Sequence, residues 1–203
     1  MLALLLLPLL VAIIVMAVID GEPTDADAPL PVTSNMPVTI DPYTLRAAQA
    51  GDAEAQLRLA KTILLGGGHD SLQLAEAVRW LQSAAEKGSL QAMVQLGRLY
   101  RSGFGVLQDY GLAHKWITTA AERGDPEGML EMGRLYRDGV GIPRDALLAY
   151  VWFNRAAAAL HVEAVRDRDD VARGLSAEQL REAQARSAAL AAQRSEVVRA
   201  DDQ

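Results

Sequence analysis

Two pairs of arginines carry the most regular chemistry in this chain. Arg98 and Arg101 stand three residues apart, and Arg134 and Arg137 repeat them 36 residues later. On a helix that spacing puts both members of a pair on one face. A guanidinium is a planar fork of donors that matches a carboxylate or a phosphate. Two readings stand side by side. The arginines recognise an anionic partner, or they are solvated and pair locally with Glu127, Glu131 or Asp138. Other candidates are thinner. His69, His114 and His161 have no carboxylate or second histidine at metal-ligand spacing. Gly66-Gly67-Gly68 lacks the Lys-Ser/Thr that completes a phosphate loop. Asp167, Asp169 and Asp170 lack the glycine and distal glutamate of a calcium loop and read as a solvated charge run. The chain has no cysteine, which removes disulfides, thiolate metal sites and cysteine nucleophiles. No G-x-S-x-G or H-E-x-x-H occurs. The expectation is no catalytic residue, no metal and no cofactor, with a hydrolase of unrecognised site as the remotest alternative.

The elements that would position the arginines are helices. Half of the 203 residues are apolar, mostly Ala and Leu, and only 5% are aromatic, a mix that favours helix over sheet. The net charge of −6 argues against nucleic acid as a partner. Residues 1–45 hold Asp20, Glu22, Asp25, Asp27 and Asp41 without any Lys or Arg, so the remainder is close to neutral.

The arginine pairs belong to a longer repeat. GRLYRSGFG at Gly97–Gly105 returns as GRLYRDGVG at Gly133–Gly141, and Trp80, Trp116 and Trp152 keep the same spacing of 36. Ala84-Ala85-Glu86 returns as Ala120-Ala121-Glu122. Three units result, about 51–87, 88–123 and 124–159, each reading as two helices. In the second unit Ala92, Leu96, Leu99 and Tyr100 recur at helical spacing. Gly103-Phe104-Gly105 ends that helix. Asp109 is placed to cap the next helix, whose apolar stripe is Ala113, Trp116, Ile117, Ala120 and Ala121. One such pair cannot bury its apolar face alone, whereas stacked pairs can.

The pattern A-x-x-x-L-G-x-x-Y-x-x-G-x-G-V followed by A-x-x-W and A-A-E-x-G resembles the Sel-1-like repeat, a branch of the tetratricopeptide superfamily. It is carried by Ala92, Leu96, Gly97, Tyr100, Gly103, Gly105, Val106, Ala113, Trp116, Ala120, Ala121, Glu122 and Gly124. The first unit departs from it, with Ala60 for Gly, Ile63 for Tyr and a loop at 66–70 that is one residue shorter. The resemblance covers residues 51–160. It implies an all-α fold, a right-handed α-solenoid of stacked antiparallel helix pairs, acting as a protein–protein interaction scaffold without catalytic residues. It also implies that the first helix of each unit lines a concave groove. Lys61, Arg98, Arg101, Arg134 and Arg137 then form a basic ladder along the groove, the expected partner-binding site. Val94 and Leu130 are the apolar alternatives. The partner would be another protein, an anionic peptide, or an envelope polymer such as peptidoglycan or an acidic polysaccharide.

After Leu160 the pattern loses register. HVEAVRDRDDVARG reads as a polar helix ending near Gly174, and Ser176-Ala-Glu-Gln179 reads as a capping box opening a second helix. Residues 161–203 are therefore expected to be a helical cap and tail.

Residues 2–19, LALLLLPLLVAIIVMAVI, form an apolar run about long enough to span a bilayer. They read as a membrane-targeting helix, either a signal peptide cleaved after Ala17 or an uncleaved anchor. The acidic flank places the repeats outside the cytoplasm, so the expected location is the bacterial cell envelope. The chain would be anchored in the inner membrane facing the periplasm, or free in the periplasm if cleaved. Residues 20–45, rich in proline up to Pro42, read as a flexible linker.

Overall fold

The computed structural model describes residues 40–66 and 71–201, with side chains up to residue 192. The targeting run at 1–19, the linker to residue 39, and His69 lie outside the described residues. Among the described residues there are nine α-helices and no strand. They are α1 Pro42–Gln49, α2 Ala53–Leu65, α3 Ser71–Glu86, α4 Leu90–Ser102, α5 Tyr110–Glu122, α6 Pro126–Asp138, α7 Ala146–Ala158, α8 Val162–Ala172 and α9 Ala177–Asp201.

The repeat in the sequence is a repeat of helix ends. Ser89 and Asp125 cap the first helices of the second and third units, accepting from Ala92 N and from Gly128 N at 2.7 Å. Asp109 and Asp145 cap the second helices, accepting from Leu112 N and Leu148 N, each at 2.9 Å. Gly103 and Gly139 end α4 and α6 at φ 73° and 70°, the left-handed region that glycine enters without a Cβ penalty. The loop then folds back, with Asp109 N and Asp145 N donating to Tyr100 O and Tyr136 O at 2.9 Å.

Helices α2/α3, α4/α5 and α6/α7 pack as the three pairs, and each pair packs on the next, so the chain is an α-solenoid. Close approach within a pair depends on glycine. A Cβ added at Gly97 would stand 2.4 Å from Ile117 Cγ1, and one at Gly133 2.5 Å from Phe153 Cδ1. Ala60 takes this place in the first unit and is fully buried. The core that results includes Leu57, Leu59, Leu81, Leu96, Ile117, Leu130, Leu135, Val151 and Phe153. The tryptophan column is less deep than a core column: Trp80, Trp116 and Trp152 are half-buried at its edge, and Arg155 lies over the Trp152 ring at 4.4 Å.

Two boundaries differ from expectation. The first helix starts at Pro42, inside the stretch assigned to the linker, because Asp41 accepts from Thr44 N at 2.8 Å and proline suits the first turn. Register also survives past Leu160. Gly51, Gly88 and Gly124 turn with φ of 96°, 95° and 93°, and Leu160, at the next equivalent place, has φ 65°. A leucine in this region is strained, and the turn persists because α8 docks behind it, with Ala164 fully buried in the place of Gly128. Helix α8 is thus the first helix of a fourth, degenerate unit. Register is lost at α9, which packs on α7 through Ala183 and Leu180, with Leu175 of the preceding turn beside them. Its start is the expected capping box: Gln179 N donates to Ser176 Oγ at 3.2 Å, and Ser176 N to Gln179 Oε1 at 2.9 Å.

Candidate functional site

The arginines sit where the first helices face one another, on α4 and α6; their side chains are 24–35% exposed, and each is met by carboxylates of the chain. Glu131, on α6 and 1% exposed, is the hub of three of them, Arg98, Arg101 and Arg134. Its Oε1 accepts from Arg98 Nε at 3.0 Å, Arg98 Nη2 at 2.8 Å and Arg134 Nη1 at 3.1 Å. Arg101 Nη1 stands 2.9 Å from Glu131 Oε2. That contact is a charge pairing without hydrogen-bond alignment, so Oε2 has no directed donor. Arg98 Nη2 also donates to Glu127. Arg134 continues outward, donating from Nε to Asp167 Oδ2 at 3.1 Å and from Nη2 to Glu163 Oε2 at 2.9 Å. Arg137 forks onto Asp138 at 2.7 and 3.0 Å and stands 3.5 Å from Asp167.

The pairing repeats with the chain. Arg98 reaches residues 29 and 33 positions later, and Arg134 does the same. In the first unit Lys61 Nζ donates to Gln91 Oε1 at 3.0 Å, the place Glu127 takes one unit on. Each contact therefore ties one first helix to the next. Four guanidiniums meet five carboxylates here (Glu127, Glu131, Asp138, Glu163 and Asp167), so the ladder carries no surplus positive charge.

The charges are held firmly. Burial alone would lower the Arg134 pKa, but its bonds to Glu163 and Asp167 and the charge of Glu131 outweigh this and raise it. The fork from Arg137 holds the Asp138 carboxyl below its ordinary value against the opposing effect of burial. Sequence reasoning named Glu127, Glu131 and Asp138 but not Glu163 or the hub's burial. Asp167, read as part of a solvated run, has a side chain only 15% exposed; Asp169 and Asp170 remain on the surface and pair with Arg168 and Arg173. The signal was the 36-residue offset, which carries Glu127 and Glu131 onto Glu163 and Asp167. His161 Nε2 lies 2.7 Å from Glu127 Oε2. His114 Nε2 lies 3.5 Å from Thr118 Oγ1. Val94 and Leu130 are 1% and 0% exposed and belong to the core; Val94 also forms part of the wall of the cleft beside the ladder.

Beside the ladder lies a cleft of about 390 Å³. Lys61, Gln91, Gln95, Arg98, Glu127 and His161 line it, with Val94, Asp125 and Pro126. Among the described residues no group of three or more His, Cys, Asp or Glu is arranged to hold a metal ion, and no helix is long and apolar enough to cross a membrane.

A family model described as the Sel1 repeat matches residues 53–89, 90–125 and 126–159. The chain belongs to the Sel1 repeat family. The matched bounds begin each repeat at its first helix, two residues inside the units drawn from the sequence. Sel1 repeat proteins generally mediate protein–protein interaction, and their fold is typically a non-catalytic one. Two solved structures are similar. One is c5321, a protective antigen of uropathogenic Escherichia coli displaying an SLR fold, 30% identical over 73% of this chain with a TM-score of 0.69. The other is a Sel1 repeat protein from Oxalobacter formigenes, 36% identical over 63% of this chain and 96% of that one, with a TM-score of 0.54. This chain spans 32% of the length of c5321. No curated protein matches it.

Proposed function

We propose that this Sel1 repeat chain is a non-enzymatic scaffold that holds a protein partner on the face lined by its first helices. The observation that carries the reading is the cleft beside the ladder. Its amides, Gln91 and Gln95, suit the backbone of an extended segment, and its cations suit acidic side chains. Lys61 is the anchor. Its ammonium has three donors and meets the neutral Gln91 Oε1, whereas Arg98, Arg101, Arg134 and Arg137 are matched by carboxylates of the chain. A partner carboxylate therefore meets Lys61 first and Arg98 at the cleft wall. Lys61→Glu should reduce recovery of the partner from envelope extracts about tenfold or more, since a like charge at a contact costs several kcal/mol, with helicity unchanged. Undiminished recovery would contradict the site.

The scaffold works in the cell envelope on this reading. The support is residues 2–19, an apolar run followed by an acidic, proline-rich stretch. A periplasmic reporter fused at residue 45 should be active and a cytoplasmic one silent; the reverse pattern refutes the orientation. Intact mass separates a signal peptide cleaved after Ala17 from a retained anchor.

A further inference from the structure

Among the described residues, the two ends of the solenoid are incomplete in complementary ways. Helix α8 is a first helix whose own second helix is missing, because α9 packs on α7 instead. The vacant flank is a cleft of about 810 Å³, lined by Leu160, Val162, Val165, Asp169, Asp170 and Arg173. Leu160 and Val162 are 88% and 83% exposed there. At the other end α1 stands as a second helix. Tyr43, Ala47-Ala48 and Gly51 take the places of Trp80, Ala84-Ala85 and Gly88, and α1 packs on α2. The place of its first helix is a cleft of about 300 Å³ lined by Asp41, Thr44, Arg58, Thr62 and Leu65; Leu65 is 84% exposed.

We propose that copies of this chain join head to tail, α8 of one copy and α1 of the next forming the missing fourth helix pair. Two swaps in the repeat pattern single out a second copy as the occupant. The first is in charge. Lys61, Arg98 and Arg134 occupy one column and are followed by Asp170. Arg58 heads the column continued by Gln95, Glu131 and Asp167. Within the chain the bases of the first column pair with acids of the second, one unit later: Arg98 with Glu131, Arg134 with Asp167. At a head-to-tail junction Asp170 of one copy meets Arg58 of the next, with both signs reversed and the pairing kept. Glu54 and Arg173 reach the same junction, so acids and bases stay balanced. The second swap is in size. Gly97 faces Ile117 and Gly133 faces Phe153. At the junction the equivalent places hold Asp169 and Thr44, a larger residue against a smaller one. The contact is heterologous, so it generates a ring or an open filament.

Sedimentation velocity of the full chain in mild detergent, over a hundredfold range of concentration, tests this. The wild type should grow in mass with concentration. Asp170→Arg and Arg58→Asp should each weaken association about tenfold or more through like charge at the junction. The double variant Arg58→Asp with Asp170→Arg should restore it, and so should an equimolar mixture of the two single variants. Both residues are on the surface, and recovery in the double variant shows that each change is tolerated by the fold. A wild type that stays monomeric throughout overturns the proposal. So do single variants that associate as well as the wild type, which would place self-association in residues 2–19, and so does a double variant that fails to recover.

Discussion

Glu131→Ala should lower the stability of the folded chain by about 3 kcal/mol, within the range for removing one partner from a buried ionic cluster. The carboxylate is 1% exposed, and three arginines on two helices converge on it. Their own side chains are 24–30% exposed, so water reaches them once the hub is gone, which keeps the loss at the lower end. Glu131→Gln should cost less, because an amide oxygen still accepts one guanidinium donor and Gln95 fills the same place one repeat earlier. Urea unfolding measures both. A midpoint shift without a change in slope is expected, with Ala more damaging than Gln. A Glu131→Ala variant within about 0.5 kcal/mol of the wild type, the ordinary range for surface substitutions, would show that the cluster does not tie the repeats together.

Phe153→Ala should cost about 3–5 kcal/mol, the largest loss expected of any single aromatic truncation in the chain. The ring is fully buried and lies over Gly133, where no Cβ fits. Helix α6 cannot close onto the void without dragging α8 with it, since Glu163 and Asp167 hold Arg134. Trp116→Ala removes a larger ring but a half-buried one, and should cost about 1–3 kcal/mol, in line with the smaller area it buries. The order is checked by thermal unfolding, where the Phe153 loss should appear as a fall in Tm on the order of 10 °C. Equal falls for the two variants would mean that the tryptophan column is core after all.

The same residues show how far the fold was legible. The caps at Asp109 and Asp125, the glycine stops and the opposition of Gly97 to its partner helix are local or periodic features, and the 36-residue offset exposes them directly. Helix α8 was less visible. Its turn has Leu160 where glycine stands in the other units, and Arg166 where Leu130 is core, so hydrophobic periodicity fades while the backbone keeps its course. The ladder was half legible. The arginines share a face by spacing alone, and Glu127, Glu131 and Asp138 were in view as partners. That Glu131 is sealed from water depends on how far α4 and α6 approach each other, a tertiary distance that no spacing encodes. The charge pairing across units was written in the sequence at offsets of 29 and 33, but only the contact of one first helix with the next gives those offsets meaning.

The scaffold reading is tested most directly by photo-crosslinking in living cells, with the crosslinker placed once at Gln91, in the cleft beside Lys61, and once at Gln108, on the exposed loop after Phe104. The account predicts a discrete protein adduct from Gln91, lost when Lys61 is changed to Glu, and none from Gln108. An adduct from Gln108 alone, or a Gln91 adduct indifferent to Lys61, would contradict it and move the partner off the face of the first helices.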